Sequence, residues 1–231
     1  MTHTRQQDPV LFYDRFSEHF DDAMNGYDVR KRIRIVFSDL LPAPLQGRKI
    51  LDAGCGTGWF SRAAMERGAD FVVSLDIGMN LLKMTDRKCR SRKVCSDVLH
   101  LPFPAESFDI VICSEVIEHT PEPGAAFREL ARVLKRGGIL VLTVPNRFWH
   151  WAVRFANRFR LRPYEGLENW CRRQDIRAWC GEHRIAIEKL YGFHLYPYVL
   201  PFTHGMLDYF DRFGDRLGPV MLNIALKGSK R

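Results

Sequence analysis

ILDAGCGTGWFS, residues 50–61, decides the fold. The run Lys49–Ala53 reads as a β-strand, glycines follow at 54, 56 and 58, and Trp59–Arg67 reads as a helix. Glycines let a backbone turn tightly and approach a ligand with no Cβ in the way. The helix N-terminus behind them offers N–H groups that lack intrahelical partners. The spacing is GxGxG, and Trp59 stands where a dinucleotide fingerprint carries its third glycine. There is no GxxxxGK[ST] phosphate loop. Asp52, just ahead of the glycines, would repel a pyrophosphate and suits a ligand that carries a cation.

Working outward, strand-like and helix-like runs alternate. Phe71–Asp76, Val94–Val98, Phe108–Glu115 and Ile139–Val144 read as strands, and Met79–Arg90 and Gly124–Leu134 as helices. This alternation predicts a parallel, doubly wound α/β sheet. The uniformly apolar strands at 71–75 and 139–144 fit a sheet covered on both faces. Residues 9–41 read as helical, split by Asn25-Gly26 and closed by Pro42 and Pro44. After Asn146 the alternation lapses. It resumes with a helix near Asp175–Glu182 and strands near Ile185–Phe193 and Val220–Leu226. The expected organisation is one domain in four parts: a helical cap (1–45), a core (46–146), a helical lid or insertion (147–172), and a segment completing the sheet (173–231).

In this frame DAGCGTG resembles the first motif of the class I S-adenosylmethionine-dependent methyltransferases. VVSLDIG (72–78), CSDVLHLPFP (95–104), SFDIVICSEVIEH (107–119) and RVLKRGGILVLTVPN (132–146) match later motifs in order. The chain is most similar to the group holding the quinone-biosynthesis methyltransferases. The resemblance implies a seven-stranded, mostly parallel, Rossmann-like sheet with S-adenosylmethionine as cofactor. It places Asp52 by the ammonium end, and Ala53, Gly54, Cys55, Gly56 and Gly58 around the methionine part. Asp76 would hold the ribose hydroxyls, Ile77 and Met79 would pack on the adenine, Asp97 would take the adenine amino group beside Val98, and Ser114 would complete the set. Asp76 follows the glycine loop by about 20 residues, the interval that a βαβ unit needs.

Glu115, Glu118 and His119 fall at a strand's C-terminal end, where such sheets open their active sites. His119, with Glu115 second, is the candidate general base; Glu118 and His119 could instead cap the following helix. Cys55 reads as a small loop residue, since nothing near it in sequence would lower its pKa. Eight scattered histidines, with no HxH or HxxxH, predict no metal site.

The remaining signals concern partners. The six cysteines form no CxxC and suit a reducing compartment. The polar N-terminus carries no signal peptide, so a cytoplasmic protein is expected. The net charge of +8 divides into +1 for residues 1–146 and +7 for residues 147–231. RFWHWAVRFANRFRLRP (147–163) concentrates this charge among aromatics. On a helical projection Phe148, Trp151, Ala152, Phe155 and Phe159 share one face, with Arg147, Arg154 and Arg158 on a flank. A greasy face with a cationic flank fits a lid or core helix, or a helix at the inner face of a membrane through 147–162. Nucleic acid ranks behind these. The chain lacks the [DN]PP[YF] tetrapeptide of amino-methylating nucleic-acid enzymes and the Pro-Cys of the cytosine-C5 enzymes. The expected function is methyl transfer to a small lipophilic or aromatic acceptor. A tRNA or rRNA methyltransferase and a non-catalytic S-adenosylmethionine-binding protein stand as alternatives.

Overall fold

The computed structural model describes residues 11–41, 44–158, 166–198 and 200–231. The chain opens with a 3-10 segment (Tyr13–His19), the short α1 (Phe20–Ala23) and α2 (Gly26–Arg34), which continues as a π-helical stretch at Ile35–Leu40. Asn25 starts α2, its side-chain oxygen accepting the N–H groups of Tyr27 and Asp28. The alternation follows: β1 (Lys49–Ala53), α3 (Trp59–Glu66), β2 (Phe71–Asp76), α4 (Met79–Lys88), β3 (Arg92–Cys95), β4 (Phe108–Ser114), α5 (Pro123–Val133) and β5 (Leu134–Pro145). Beyond it come α6 (His150–Arg158), α7 (Arg173–Glu182), β6 (Ile185–Phe193), α8 (His204–Phe210), α9 (Gly214–Leu217) and β7 (Asn223–Lys230).

The strands form one seven-stranded sheet in the order β3-β2-β1-β4-β5-β7-β6. β7 runs antiparallel to both its neighbours, and the other pairings are parallel. This is the expected doubly wound, mostly parallel architecture. Side chains alternate across the sheet. Leu51, Val73, Leu75 and Val111 face a core with Phe127 and Leu130 of α5 and Ile176 of α7. Ile50, Val72 and Ile110 face the other core, with Phe60 and Ala64 of α3 and Val36 and Phe37 of the N-terminal helices. The strand order reverses between β1 and β4, and a ligand crevice is expected outside the carboxyl ends of the strands there.

Several expected boundaries move. β3 ends at Cys95, because its pairing with β2 stops where β2 ends at Asp76. β5 begins five residues earlier than its apolar run, at Leu134, which pairs with Phe108. β7 runs from Asn223 to Lys230, since pairing with β5 carries it past the apolar residues into Gly228 and Ser229. In the insertion, α6 forms as expected, but its aromatic face is not core. Phe148, Trp151 and Phe155 are 50%, 64% and 59% exposed. Phe159, placed on the same face, lies outside the described residues. Phe193, the last residue of β6, is core, whereas Phe202 beyond it is 84% exposed.

Gly58 caps α3 at φ +86°, and a Cβ there would stand 2.6 Å from the Thr85 methyl of α4. Gly58→Ala is expected to cost about 1–3 kcal/mol of folding stability through backbone strain alone, with the clash added. Urea unfolding measures it, and an unchanged midpoint would contradict the packing.

Candidate functional site

The C-terminal edge of β1 and β2 is tied by one acceptor. The N–H groups of Gly54 and Cys55 both donate to the Leu75 carbonyl, at 2.7 and 2.9 Å. This folds the glycine loop back over β2, with Gly54 at φ +75° and Gly56 at φ +54°. Asp76, at the end of β2, takes the Gly56 N–H on one oxygen and the Gly78 N–H on the other, each at 2.8 Å. Burial pushes the Asp76 carboxyl up to about 6, against the pull of those donors and with Asp14 adding repulsion.

Above this edge lies a cavity of about 190 Å³. Of the residues expected from sequence, Gly54, Cys55, Gly56, Asp76 and Ile77 line one part of it. Asp97, Val98, Ser114, Glu115 and His119 line the rest. Asp52, Ala53, Gly58 and Met79 are not in the lining. Asp52 is buried under the loop, where it accepts the Ser61 hydroxyl at 2.6 Å and heads a hydroxyl chain through Ser74 to Ser91. Its place is thus against α3, not beside a ligand's ammonium. Burial raises its carboxyl to about 7 despite the Ser61 bond. Met79, half exposed, opens α4 outside the cavity. The Cys55 thiol is raised by burial and by Asp52, which disfavours a nucleophilic thiolate.

The roof comes from the helical cap expected over residues 1–45, but none of its site residues was expected from sequence. Residues 11–24 cross the cavity as a strap, with Tyr13, Phe20 and Met24 in its lining. Asp14 latches one point: its carboxylate accepts the N–H groups of Asn80 and Leu81, capping α4 from a distance. Asp21 latches a second, accepting from Thr57, from Lys88 and, at 2.9 Å, from the Trp59 indole. The tryptophan in the third-glycine position is therefore an anchor for the strap. No local motif marks Asp14 or Asp21; their partners lie 36 to 67 residues away.

At the far end of the cavity stands a second polar group. Glu115 follows β4 in the left-handed region at φ +56°, a conformation costly for a side chain with a Cβ. One carboxyl oxygen accepts the Asn223 amide at 3.0 Å, and the other is buried with no hydrogen bond among the described residues. Burial raises this carboxyl to about 7, although Arg32 opposes the rise. Glu118, also buried, is pushed well above the usual range by burial and by Glu115. Arg32 enters from α2, ion-paired at 2.7 Å with Asp28 and donating to Ser114 at 3.2 Å. His119 turns Nδ1 toward the Leu167 carbonyl, at 2.8 Å. Donation of that N–H leaves the lone pair on Nε2, the tautomer of a base.

The cavity is chemically mixed. Its lining has two strand-end carboxylates, Asp76 and Asp97, beside the apolar Ile77, Val98 and Leu81. Such a set accepts hydroxyl and amino donors from a nucleoside while flanking its base. The lining also holds Met24, Val29, Arg32, Glu115 and His119, while Phe20 stands over the glycine loop against Gly56. No group of metal-binding character is present among the described residues.

Comparisons with known proteins agree with this geometry. Residues 51–142 match the family model of a methyltransferase domain. An uncharacterised protein of Methanocaldococcus jannaschii is 40% identical over 146 residues, covering 59% of this chain and 60% of that one. A ubiquinone biosynthesis O-methyltransferase of Psychrobacter arcticus is 35% identical over 111 residues, covering 45% of this chain and 43% of that one. The matches thus span about half the length of these curated relatives. Among solved structures, an S-adenosylmethionine-dependent methyltransferase of Thermotoga maritima superposes with a TM-score of 0.70 at 14% identity, covering 96% of this chain and all of that one.

Two outcomes follow from the roof and the buried acids. Asp21→Ala, which frees one latch, is expected to weaken S-adenosylhomocysteine binding about tenfold, a loss of about 1.4 kcal/mol. Calorimetry checks this, and unaltered affinity would remove the latch from the binding site. Asp52 and Asp76 hold their protons more tightly folded than unfolded. Their contribution to stability is therefore complete below the unfolded value of about 4 and is lost as pH rises through about 6 and 7. The melting temperature of the ligand-free protein should fall across that window, and the Asp52→Asn variant should show a shallower fall.

Proposed function

We propose that this chain, a class I S-adenosylmethionine-dependent methyltransferase by its fold and its matched domain, methylates a small lipophilic or aromatic acceptor. The observation that carries this proposal is one cavity whose lining combines carboxylates suited to a nucleoside, Asp76 and Asp97, with apolar side chains and a buried, half-bonded carboxyl, Glu115. Asp76 would hold the ribose hydroxyls of the cofactor and Asp97 its adenine amino group, with Ile77 and Val98 against the ring. Bound there, S-adenosylmethionine supplies a methyl group on a sulfonium, which is already activated for displacement.

The protein's work is then alignment, dehydration and proton removal. The strap closes the cavity over the loop, with Tyr13 and Phe20 supplying apolar cover. Holding two reactants in line can supply about 7–11 kcal/mol of barrier reduction. Met24 and Val29 would flank an aromatic or aliphatic acceptor. Glu115, poised near neutrality, and His119, with its lone pair on Nε2, are the two groups able to take a proton from a hydroxyl acceptor. Arg32, paired to Asp28, stabilises the ionised form of Glu115.

The proposed location is cytoplasmic, with the exposed face of α6 meeting the inner surface of a membrane. Trp151 and Phe155 are exposed on that helix and Phe148 on the 3-10 turn (Arg147–Trp149) that leads into it, with Arg147, Arg154 and Arg158 beside them. No helix among the described residues is long and apolar enough to cross a bilayer.

The test is turnover of S-adenosylmethionine with a panel of phenols and amines, followed by variants. Glu115→Gln is expected to lower kcat by about 10²–10⁴. It should also abolish the rise in rate expected of the wild type as pH passes through about 7. His119→Ala should lower kcat as well if it shares the proton. Should both variants keep the wild-type pH–rate curve, neither residue is the base. Should the protein bind S-adenosylhomocysteine and turn over no acceptor, the transfer proposal fails.

A further inference from the structure

One strand beyond the cofactor cavity, the β5 exit, the start of α7 and the turn before β7 enclose a separate basin of about 750 Å³. Arg147, Arg172, Arg173 and Arg177 line it, with Asp215 the one carboxylate among its lining residues. The charges are placed against the ordinary preference of a helix. Arg172 is the N-cap of α7 and Arg173 its first residue, yet the helix dipole favours anions at that end. Arg173 and Arg177 stand four residues apart on one face, a like-charge pair that disfavours the helix. Among the described residues, Arg147, Arg172 and Arg177 form no ion pair. A fold arranged for stability alone would not gather cations here.

The basin is also rigidly built. Asn146, buried, donates its amide to the Pro219 and Met221 carbonyls at 3.0 and 2.9 Å. The Arg147 N–H donates to the Cys171 carbonyl at 3.0 Å, which sets Arg147 beside Arg172. Arg173 spends one guanidinium nitrogen on the Leu190 carbonyl at 2.7 Å and forms the floor. Arg173 and Gln174, the first residues of α7, also line the basin, at a helix end whose first N–H groups have no intrahelical partners. From the rim, Phe148 continues into Trp151 and Phe155, three exposed aromatics along one face.

We propose that this arginine basin binds a phosphate headgroup, whose apolar tail lies along Phe148 and Trp151. Arg147, Arg172 and Arg177 supply charge-assisted donors in fork geometry, and the helix N-terminus supplies backbone donors. The ligand class is a phosphate ester of a long-chain alcohol or a phospholipid headgroup, both of which present the same two surfaces. The site is distinct from the cofactor cavity and does not rest on the methyl-transfer proposal.

The experiment titrates the full chain with dodecyl phosphate below its micelle concentration, with inorganic phosphate, and with phosphatidylcholine vesicles with and without phosphatidic acid. Dodecyl phosphate should bind more tightly than inorganic phosphate. Arg172→Gln combined with Arg177→Gln should weaken dodecyl phosphate by about tenfold or more, as lost charge-assisted bonds predict. Trp151→Ser should weaken dodecyl phosphate and leave inorganic phosphate unchanged. S-adenosylhomocysteine affinity, unaltered in all variants, shows that they fold. Dodecyl phosphate binding without capture of phosphatidic acid vesicles assigns the site to a soluble ester; capture that also depends on the two arginines assigns it to a lipid headgroup. Binding indifferent to the double substitution overturns the proposal. So does tighter, arginine-dependent binding of a single-stranded RNA that displaces dodecyl phosphate.

Discussion

The carbonyl oxygen of Leu75 accepts two N–H groups, those of Gly54 and Cys55, and the cofactor edge is assembled outward from that pair of hydrogen bonds. It can form only because β1 and β2 run parallel and in register, Ala53 opposite Leu75. It can also form only because the next residues turn through positive φ, where glycine is at ease. With the loop held there, the Gly56 N–H reaches Asp76, and the turn after β2 reaches it from the other side through Gly78. α3 then starts at Trp59, whose indole points to Asp21 and brings the N-terminal strap over the loop. A roof, a loop and a carboxylate are thus consequences of one backbone contact.

The interior holds more acid than base. Asp52, Asp76, Glu115 and Glu118 are buried or line the cavity, each with its pKa raised by burial. Arg32 is the buried guanidinium set against them, and both its Nε and its Nη2 are engaged by Asp28. Burying carboxyls without matched cations costs stability unless they stay protonated or gain donors. A ligand that brings hydroxyl or amino donors, or a positive charge, offsets that cost when it binds. Asp52 shows the same economy met internally, by a chain of serine hydroxyls.

Much of this was legible in the sequence, for a physical reason. Doubly covered strands are short, apolar and separated by helices, so β1, β2, β4 and the core of β5 declare themselves locally. The glycine loop and Asp76 do too, since their spacing is set by one βαβ unit. What escaped depends on distant pairing. β7 ends in Lys-Gly-Ser-Lys, which carries no strand pattern and becomes strand through β5 and β6. Asp52 looked like a ligand contact because position along the chain does not reveal which face of the strand carries it. Its partner Ser61 shows that it faces α3. Asp14, Asp21 and Arg32 belong to helical segments with ordinary polar residues, and their partners lie far along the chain.

The basic C-terminal third resolves into unlike parts once folded. Lys31 of α2 pairs with Asp208 and Asp211, and Tyr27 stacks on His204 at 3.7 Å, so acids of this third serve to dock the N-terminal helices. That use of its acids leaves the arginines near α6 and α7 in excess over their local acids, Asp175 and Asp215. Because β7 must return beside β5, the turn preceding it is pressed against the β5 exit through Asn146. The same closure sets Arg147 next to Arg172 through the Cys171 carbonyl. The cation-rich surface is therefore tied to the antiparallel last strand. Completing the sheet and gathering the arginines are one geometric event, which explains why a charge count by itself indicated an anionic partner without locating it.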